Sequence, residues 1–184
     1  SGEKTFLFGF EESFGFLAGG LARDKDAVSS AMLAAEACIV FAERGMTLSD
    51  ALDALYTTYG YYSESVKSYT LEGKAGMEQI ARCMQKLREK PPESFAKTAV
   101  CEFEDYLSGE KTARDGAKTA LTLPKNDTLR WLLCDDSWIV IRPSGTEPKL
   151  KLYIGACAKT KPELDAVLAA LLADVDARIN GYLV

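Results

Sequence analysis

Histidine is missing from all 184 residues of this chain. Its absence excludes Ser–His and Cys–His nucleophile pairs, imidazole acid–base catalysis and histidine-ligated metals. Cysteine is sparse. The five residues, at positions 38, 83, 101, 134 and 157, form no Cys-x-x-Cys pair, are odd in number and mostly stand in apolar segments. That pattern reads as reduced core thiols of a cytoplasmic protein, not as disulfides or a zinc site. No apolar run approaches the roughly 20 residues needed to cross a bilayer, and no signal peptide opens the chain, so no membrane role is expected. A basic excess is also lacking: the net charge is −5 and the isoelectric point about 4.9. This argues against nucleic acid as a partner and leaves any anion site to a local basic pocket in an acidic surface. Chemistry must therefore run on carboxylates, hydroxyls and bound metal. The chain is 47% hydrophobic and 27% charged, ordinary for a globular protein of one or two domains.

The apolar run Phe6-Leu7-Phe8-Gly9-Phe10 predicts a strand buried on both faces. It begins almost at the first residue, so the rest of its sheet is expected from sequence outside this stretch. A helix is expected from Asp26 to Gly45, with Val28, Met32, Ala35 and Ile39 on one face. Ala31, Ala34 and Cys38 make the opposite face apolar, which predicts deep packing. Thr47-Leu48-Ser49-Asp50 reads as the cap of a second helix closed by Gly60. A strand over 61–71 and a helix over 74–89 follow, the helix stopped by Pro91-Pro92. Further strands are predicted over 97–106, 128–134, 138–142 and 149–157. The polar, Gly-containing stretch 108–127 reads as an irregular, partly mobile loop. Thr160 and Glu163 form the capping box of a last helix with Leu164, Leu168, Leu171 and Val175 inward. The second part is thus expected to be α+β, an antiparallel sheet with helices on one side.

Between the last two predicted strands lies Arg142-Pro-Ser-Gly-Thr-Glu-Pro-Lys149. A tight connection needs a Gly and a Pro; it does not need a clustered Arg, Ser, Thr and Lys. Those residues suit a dianionic phosphate. Arg142 offers a two-donor fork, Ser144 and Thr146 offer hydroxyls, and Gly145 admits oxygens close to backbone N–H groups. Lys149 adds attraction at longer range. Glu147 would repel a dianion, so its expected role is to orient Arg142 or a neighbouring strand. Near the other end, Glu11 and Ser13 follow the carboxyl end of the first predicted strand, where ligands of open α/β sheets gather. Their residue types fit sugar hydroxyls, and equally fit an acidic helix N-terminus. Arg23 and Lys25 fall in an Arg-Asp-Lys-Asp cluster that also reads as a solvated loop.

Three segments in this order, Gly9-Phe10-Glu11-Glu12-Ser13-Phe14-Gly15, Leu21 to Val28, and Arg142 to Pro148, resemble the α-D-phosphohexomutase superfamily, in particular its bacterial phosphoglucomutase and phosphomannomutase members. Tyr59-Gly60-Tyr61-Tyr62 and Leu71-Glu72-Gly73 extend the likeness, so that it runs nearly end to end. The family has four domains. The resemblance implies that residues 1–57 are the C-terminal part of the third, an α/β sugar-binding domain, and that 58–184 are the fourth. The fourth is of TATA-binding-protein-like fold, an antiparallel sheet with helices on one face, with no DNA activity implied.

The roles follow by position. Glu11 and Ser13 would grip two hexose hydroxyls. Here Phe10 replaces the family's preceding Gly, and Glu12 fills the middle position, as in glucose-preferring members. Lys25, with Arg23 beside it, would lie near substrate phosphate. Arg142, Ser144, Gly145 and Thr146, with Lys149, would hold the non-reacting phosphate. The family's phosphoserine loop and its Asp-rich Mg²⁺ loop have no counterpart here, so no catalytic or metal-binding residue is assigned. The resemblance implies Mg²⁺ in the full-length parent, held outside these residues, and a hexose bisphosphate as activator and intermediate. The implied partners are a sugar phosphate and the N-terminal domains of the same chain, with this stretch inactive alone. Glucose against mannose stays open, as do a phosphopentomutase of the same superfamily and a non-catalytic sugar-phosphate-binding module.

Overall fold

A computed structural model describes residues 4–10, 15–20 and 22–183. It divides into two compact units, residues 1–59 and 60–184.

The first unit begins with an antiparallel ribbon of β1 (Phe8–Phe10) and β2 (Phe16–Ala18), with Phe8 opposite Ala18 and Phe10 opposite Phe16. Helix α1 (Ala27–Glu43) opens on Asp26, whose carboxylate accepts from the Val28 and Ser29 amides at 3.0 and 3.4 Å. Hydrogen bonds from Ser29 and Val28 hold the Asp26 carboxyl below the usual range. Ser30 ties helix to ribbon: its hydroxyl accepts from the Phe16 amide at 3.1 Å and donates to the Asp26 carbonyl at 2.7 Å. Helix α2 (Leu48–Tyr59) starts with a reciprocal cap. The Asp50 amide donates to the Thr47 hydroxyl at 3.1 Å, and the Thr47 amide to the Asp50 carboxylate at 2.7 Å.

Two expectations for this unit need correction. Phe8 and Phe10 are 51% and 76% exposed, and Val28, Met32 and Ile39 of α1 are at least 62% exposed. Among the described residues the ribbon has only two strands, too few to cover either a doubly buried strand or a helix apolar on both sides.

The second unit is built on an antiparallel sheet. Its strands are β3 (Tyr61–Thr70), β4 (Ser94–Phe95), β5 (Thr98–Asp105), β6 (Glu110–Ala113), β7 (Lys118–Ala120), β8 (Leu129–Leu133), β9 (Trp138–Pro143) and β10 (Lys149–Ala158), in the order β3-β10-β9-β8-β5-β6-β7 with β4 beside β5. Alternate residues of the central strands, Leu129, Trp131, Ile139, Ile141, Leu150, Leu152 and Ile154, are almost completely buried. Helices α3 (Gly73–Glu89) and α4 (Lys161–Tyr182) cover that face with Ile80, Met84 and Leu87 from one and Leu164, Leu171, Val175 and Ile179 from the other. The period-2 and helical repeats seen in the sequence thus meet in one core, as the α+β expectation requires. On the opposite face Trp138 lies across Gly155, where any Cβ would collide with the indole.

Two further corrections belong here. The stretch expected to be an irregular loop contains the β6–β7 hairpin, turned at Asp115-Gly116. β6 is half-buried between β5 and β7, and β7 is the exposed edge of the sheet. Their stability comes from pairing and from ion pairs such as Lys118–Glu110 at 2.6 Å, which leave no apolar alternation to read. The cysteines are likewise not all free: Cys101 and Cys134 form a disulfide, while Cys38, Cys83 and Cys157 are free thiols. The 33-residue separation hides the pairing in the sequence. Adjacent strands β5 and β8, with a register shift between Val100 and Glu102, bring the two Cα atoms to 5.1 Å.

Candidate functional site

The octapeptide 142–149 is the connection between β9 and β10, whose register pairs Pro143 with Leu150 and Arg142 with Lys151. The turn closes on itself. The Ser144 amide donates to the Lys149 carbonyl and the Lys149 amide to the Glu147 carbonyl, both at 2.7 Å. The Ser144 hydroxyl accepts from the Thr146 and Glu147 amides at 3.4 and 3.3 Å. These are long bonds, so the inward-turned amides are weakly engaged. At Gly145 a side chain would meet nothing within 4 Å, and the backbone is not left-handed. The fold itself therefore does not require glycine there; an open approach to the loop tip does.

A cavity of about 370 Å³ lies at this end of the sheet. Arg142, Pro143, Ser144, Gly145 and Glu147 line it on the loop side, Met77, Ile80 and Ala81 from α3, and Asn126 and Asp127 from the segment before β8. Three of the proposed phosphate ligands, Arg142, Ser144 and Gly145, are thus brought together. Thr146 is exposed at the tip and Lys149 is half-buried, neither lining the cavity.

Charge decides what the cavity favours. Arg142 is exposed, and neither it nor Lys151 opposite forms a close ion pair among the described residues, although the Lys151 charge helps hold the Glu147 carboxyl low. Like charges at directly opposite sheet positions destabilise the pairing, and an anion seated between or beside them relieves that repulsion. Lys151 is the functional candidate the sequence reading missed. It stands in the same alternating run as Lys149, and only the β9–β10 register shows that it faces Arg142.

The carboxylates of the cavity are occupied. Glu147 pairs with Lys149 at 2.9 Å, and that bond holds its carboxyl below the usual range. Of the two roles expected of it, Glu147 thus engages the neighbouring strand β10 and not Arg142, and the Lys149 charge is spent locally. Asp127 accepts from Arg88 at 2.6 Å, while the Nε of the same guanidinium donates to Asp105 at 3.1 Å. Burial works against the Arg88 charge, but the bonds to Asp127 and Asp105 outweigh it and hold the pKa above the ordinary arginine value.

In the first unit, Glu11 and Ser13 lie outside the described residues. Arg23 is exposed, and Lys25 donates to Asp24 at 2.9 Å, which holds the Asp24 carboxyl below the usual range. No helix among the described residues is long and apolar enough to cross a membrane. Among the described residues, no three or more Cys, Asp and Glu side chains are grouped so as to hold a metal ion.

Comparisons with known proteins bear on both units. Residues 2–59 match the family model described as phosphoglucomutase/phosphomannomutase, alpha/beta/alpha domain III, and residues 109–173 match phosphoglucomutase/phosphomannomutase, C-terminal domain. The chain is similar to the phosphoglucomutase of Staphylococcus aureus (strain bovine RF122 / ET3-1), 40% identical over 152 residues that make up 82% of this chain and 27% of that protein. It is similar to the phosphoglucomutase of Staphylococcus haemolyticus (strain JCSC1435) at 38% identity over 152 residues, 82% of this chain and 28% of that protein. The chain thus spans just over a quarter of the length of these relatives. Among solved structures it resembles the exocytosis-sensitive phosphoprotein pp63/parafusin (phosphoglucomutase) from Paramecium in its open form. The TM-score is 0.54 at 19% identity, covering 93% of this chain and 30% of that one, a likeness of fold. With two domain models of one family matched in chain order and relatives at 40% identity, the chain belongs to the phosphoglucomutase/phosphomannomutase family.

Proposed function

We propose that this chain is the sugar-phosphate-binding part of a phosphohexomutase that interconverts hexose 1-phosphate and hexose 6-phosphate, with glucose as the preferred sugar and mannose as a second substrate. The observation that carries the reading is the cavity at the β9–β10 turn. There Arg142, which makes no ion pair among the described residues, meets the open tip of Ser144 and Gly145. In this reading Arg142 binds the non-reacting phosphate through its two-donor fork. Lys151 adds charge from the facing strand, Thr146 contributes from the exposed tip, and Lys149 acts through Glu147. Glu11, Ser13, Lys25 and Arg23 are proposed to orient the sugar and its phosphate.

A mutase of this class must bind its substrate in two opposite orientations, because phosphate is delivered at one end and withdrawn at the other. A clamp that reads only a phosphate, and a Glu/Ser pair that reads adjacent hydroxyls, serve both orientations. The contribution of these residues to rate is positioning, the larger part of phosphoryl-transfer catalysis. The phosphoserine and the Mg²⁺ ligands are proposed to reside in preceding domains of a parent as long as the relatives matched, with a hexose bisphosphate as intermediate. Mg²⁺ would there offset phosphate charge. The parent is proposed to be cytoplasmic.

Titration of the isotopically labelled chain with glucose 6-phosphate tests the reading. The Gly145 and Thr146 amide signals are expected to move in the millimolar range. If they stay fixed while others move, the clamp is elsewhere and the reading falls.

A further inference from the structure

Arg88 lies in the last turn of α3, outside the loop that carries the phosphate reading, yet its guanidinium reaches the same cavity through Asp127. Its Nη2 donates to the Asp127 carboxylate at 2.6 Å and its Nε to the Asp105 carboxylate at 3.1 Å. Asp105 is nearly buried, its side chain 9% exposed, while Asp127 is 42% exposed and lines the cavity beside Asn126, Arg142, Ser144 and Gly145. Arg88 also lines the larger neighbouring cavity of about 770 Å³ under the β6–β7 hairpin. It therefore joins the lining of that cavity to Asp127 of the smaller one.

A carboxylate on the wall of an anion site is a cost, because it repels the ligand. The structure answers that cost at both such positions: Glu147 has Lys149 and Asp127 has Arg88. The two arrangements differ. Lys149 is a point charge beside an exposed partner, whereas Arg88 is anchored on a nearly buried aspartate and can hold Asp127 in one place. A planar fork is needed to span both carboxylates, and the segment carrying Asn126 and Asp127 has no strand pairing of its own.

We infer that Arg88 is a positioning residue of the phosphate site: it offsets the charge of Asp127 and fixes the Asn126-Asp127 segment as the wall of the cavity opposite Arg142. The inference rests on the phosphate reading of the β9–β10 turn. Removing Arg88 leaves Asp127 facing the ligand uncompensated. One charge about 8 Å from a dianion in a water-like medium weakens binding by roughly threefold to tenfold. Replacing Asp127 by Asn removes the repulsion at its source.

The test is the affinity of the whole chain for inorganic phosphate, read from the Gly145 amide in the wild type, Arg88→Met, Asp127→Asn and the double variant. Arg88→Met is expected to bind about threefold to tenfold more weakly, and the deficit should shrink as sodium chloride screens the charge. The double variant is expected to bind within about twofold of Asp127→Asn alone, since the effect of Arg88 acts through Asp127. Asp127→Asn alone leaves the Arg88–Asp105 pair intact and is expected to bind phosphate about twofold or more tightly, which keeps the test available if Arg88→Met does not fold. Unchanged or weaker binding in Asp127→Asn overturns the inference, as does a full deficit that persists in the double variant or in high salt. A wild-type chain whose Gly145 signal ignores phosphate overturns the phosphate reading itself, and this inference with it.

Discussion

Arg142 and Lys151 face one another across β9 and β10, two cations in direct register, and the nearby Glu147 carboxylate, bonded to Lys149, feels the Lys151 charge only weakly. A sheet designed only for stability would place an acid at one of these positions. The facing cations are the arrangement that the proposed phosphate site calls for. The open tip at Gly145 supports the same view. One of the two cations was recognisable from its loop; the other became visible only through pairing.

Arg142→Ala in the full-length enzyme is expected to lower kcat/KM roughly ten- to a hundredfold, since losing a charge-assisted hydrogen bond costs about 1.5–3 kcal/mol. Arg142→Lys should recover only part, because an ammonium cannot reproduce the fork. Melting temperature should hold steady or rise slightly, as the repulsion with Lys151 disappears. A structural role for Arg142 would give the reverse, a lower melting temperature with near-normal kinetics.

Gly145→Ala separates ligand access from loop geometry. The position has no left-handed backbone, and a methyl group there would stand in open space. Stability should therefore stay within about 0.5 kcal/mol of wild type or improve through a stiffer unfolded chain. Phosphate affinity should nevertheless fall, by about threefold or more, because the methyl group occupies the approach to the amides. A loss of stability with unchanged affinity would show that the glycine serves the turn alone.

The chain alone, supplied with Mg²⁺ and a hexose bisphosphate, is expected to show no mutase turnover in a coupled assay. None of its described residues gathers into a metal site, and its matched domains are the third and the C-terminal. Turnover proportional to purified chain would contradict the assignment of the nucleophile to other domains.

Much of the second unit was legible because its core obeys two simple periods. Leu150, Leu152 and Ile154 alternate, and Leu164, Leu171 and Val175 recur at helical spacing, so both buried faces could be read before any contact was known. Caps were legible for the same local reason: Thr160 accepts from the Glu163 amide at 3.4 Å, three residues away. The β6–β7 hairpin was not, because its residues are polar on both faces and its order comes from pairing. Nor was the Arg88 link to Asp127, which joins positions 39 apart. The Ala81 and Met77 wall of the cavity carries no chemical signature at all. Local chemistry marks a binding loop; the wall opposite it is a product of topology.

Asp176 on α4 ties that helix to β3. Its carboxylate accepts from Lys67 and from the Tyr69 hydroxyl, the latter at 2.7 Å, and these bonds hold its carboxyl below the ordinary 3.8. Burial, then Asp176, push the Tyr69 phenol well above its ordinary range. A depressed carboxyl pKa stabilises the fold above the unfolded value and loses that contribution as pH falls through the folded value. Asp176→Asn should thus cost about 1–2 kcal/mol at neutral pH, measured by urea unfolding. The difference from wild type should begin to shrink below the ordinary value of 3.8 and vanish as the native carboxylate is protonated. A difference independent of pH would mean that shape, not charge, sets the contribution.

Reduction of the Cys101–Cys134 disulfide should destabilise the second unit without changing its fold. The bridge closes a segment of 33 residues' separation, for which the loss of unfolded-chain entropy amounts to about 3–4 kcal/mol. For a domain of this size that corresponds to a melting temperature lower by roughly 10 °C. The sheet should survive, because β5 and β8 are paired from Val100 to Asp105 by their own backbone bonds and are filled by Trp131 and Leu133. Cys101→Ser/Cys134→Ser should match the reduced wild type in both melting temperature and phosphate affinity, since neither cysteine lines the cavity at Arg142. If the double variant loses phosphate binding while remaining folded, the β5–β8 bridge controls the site from a distance, and the cavity depends on more than the α3, 126–127, β9 and turn residues that line it.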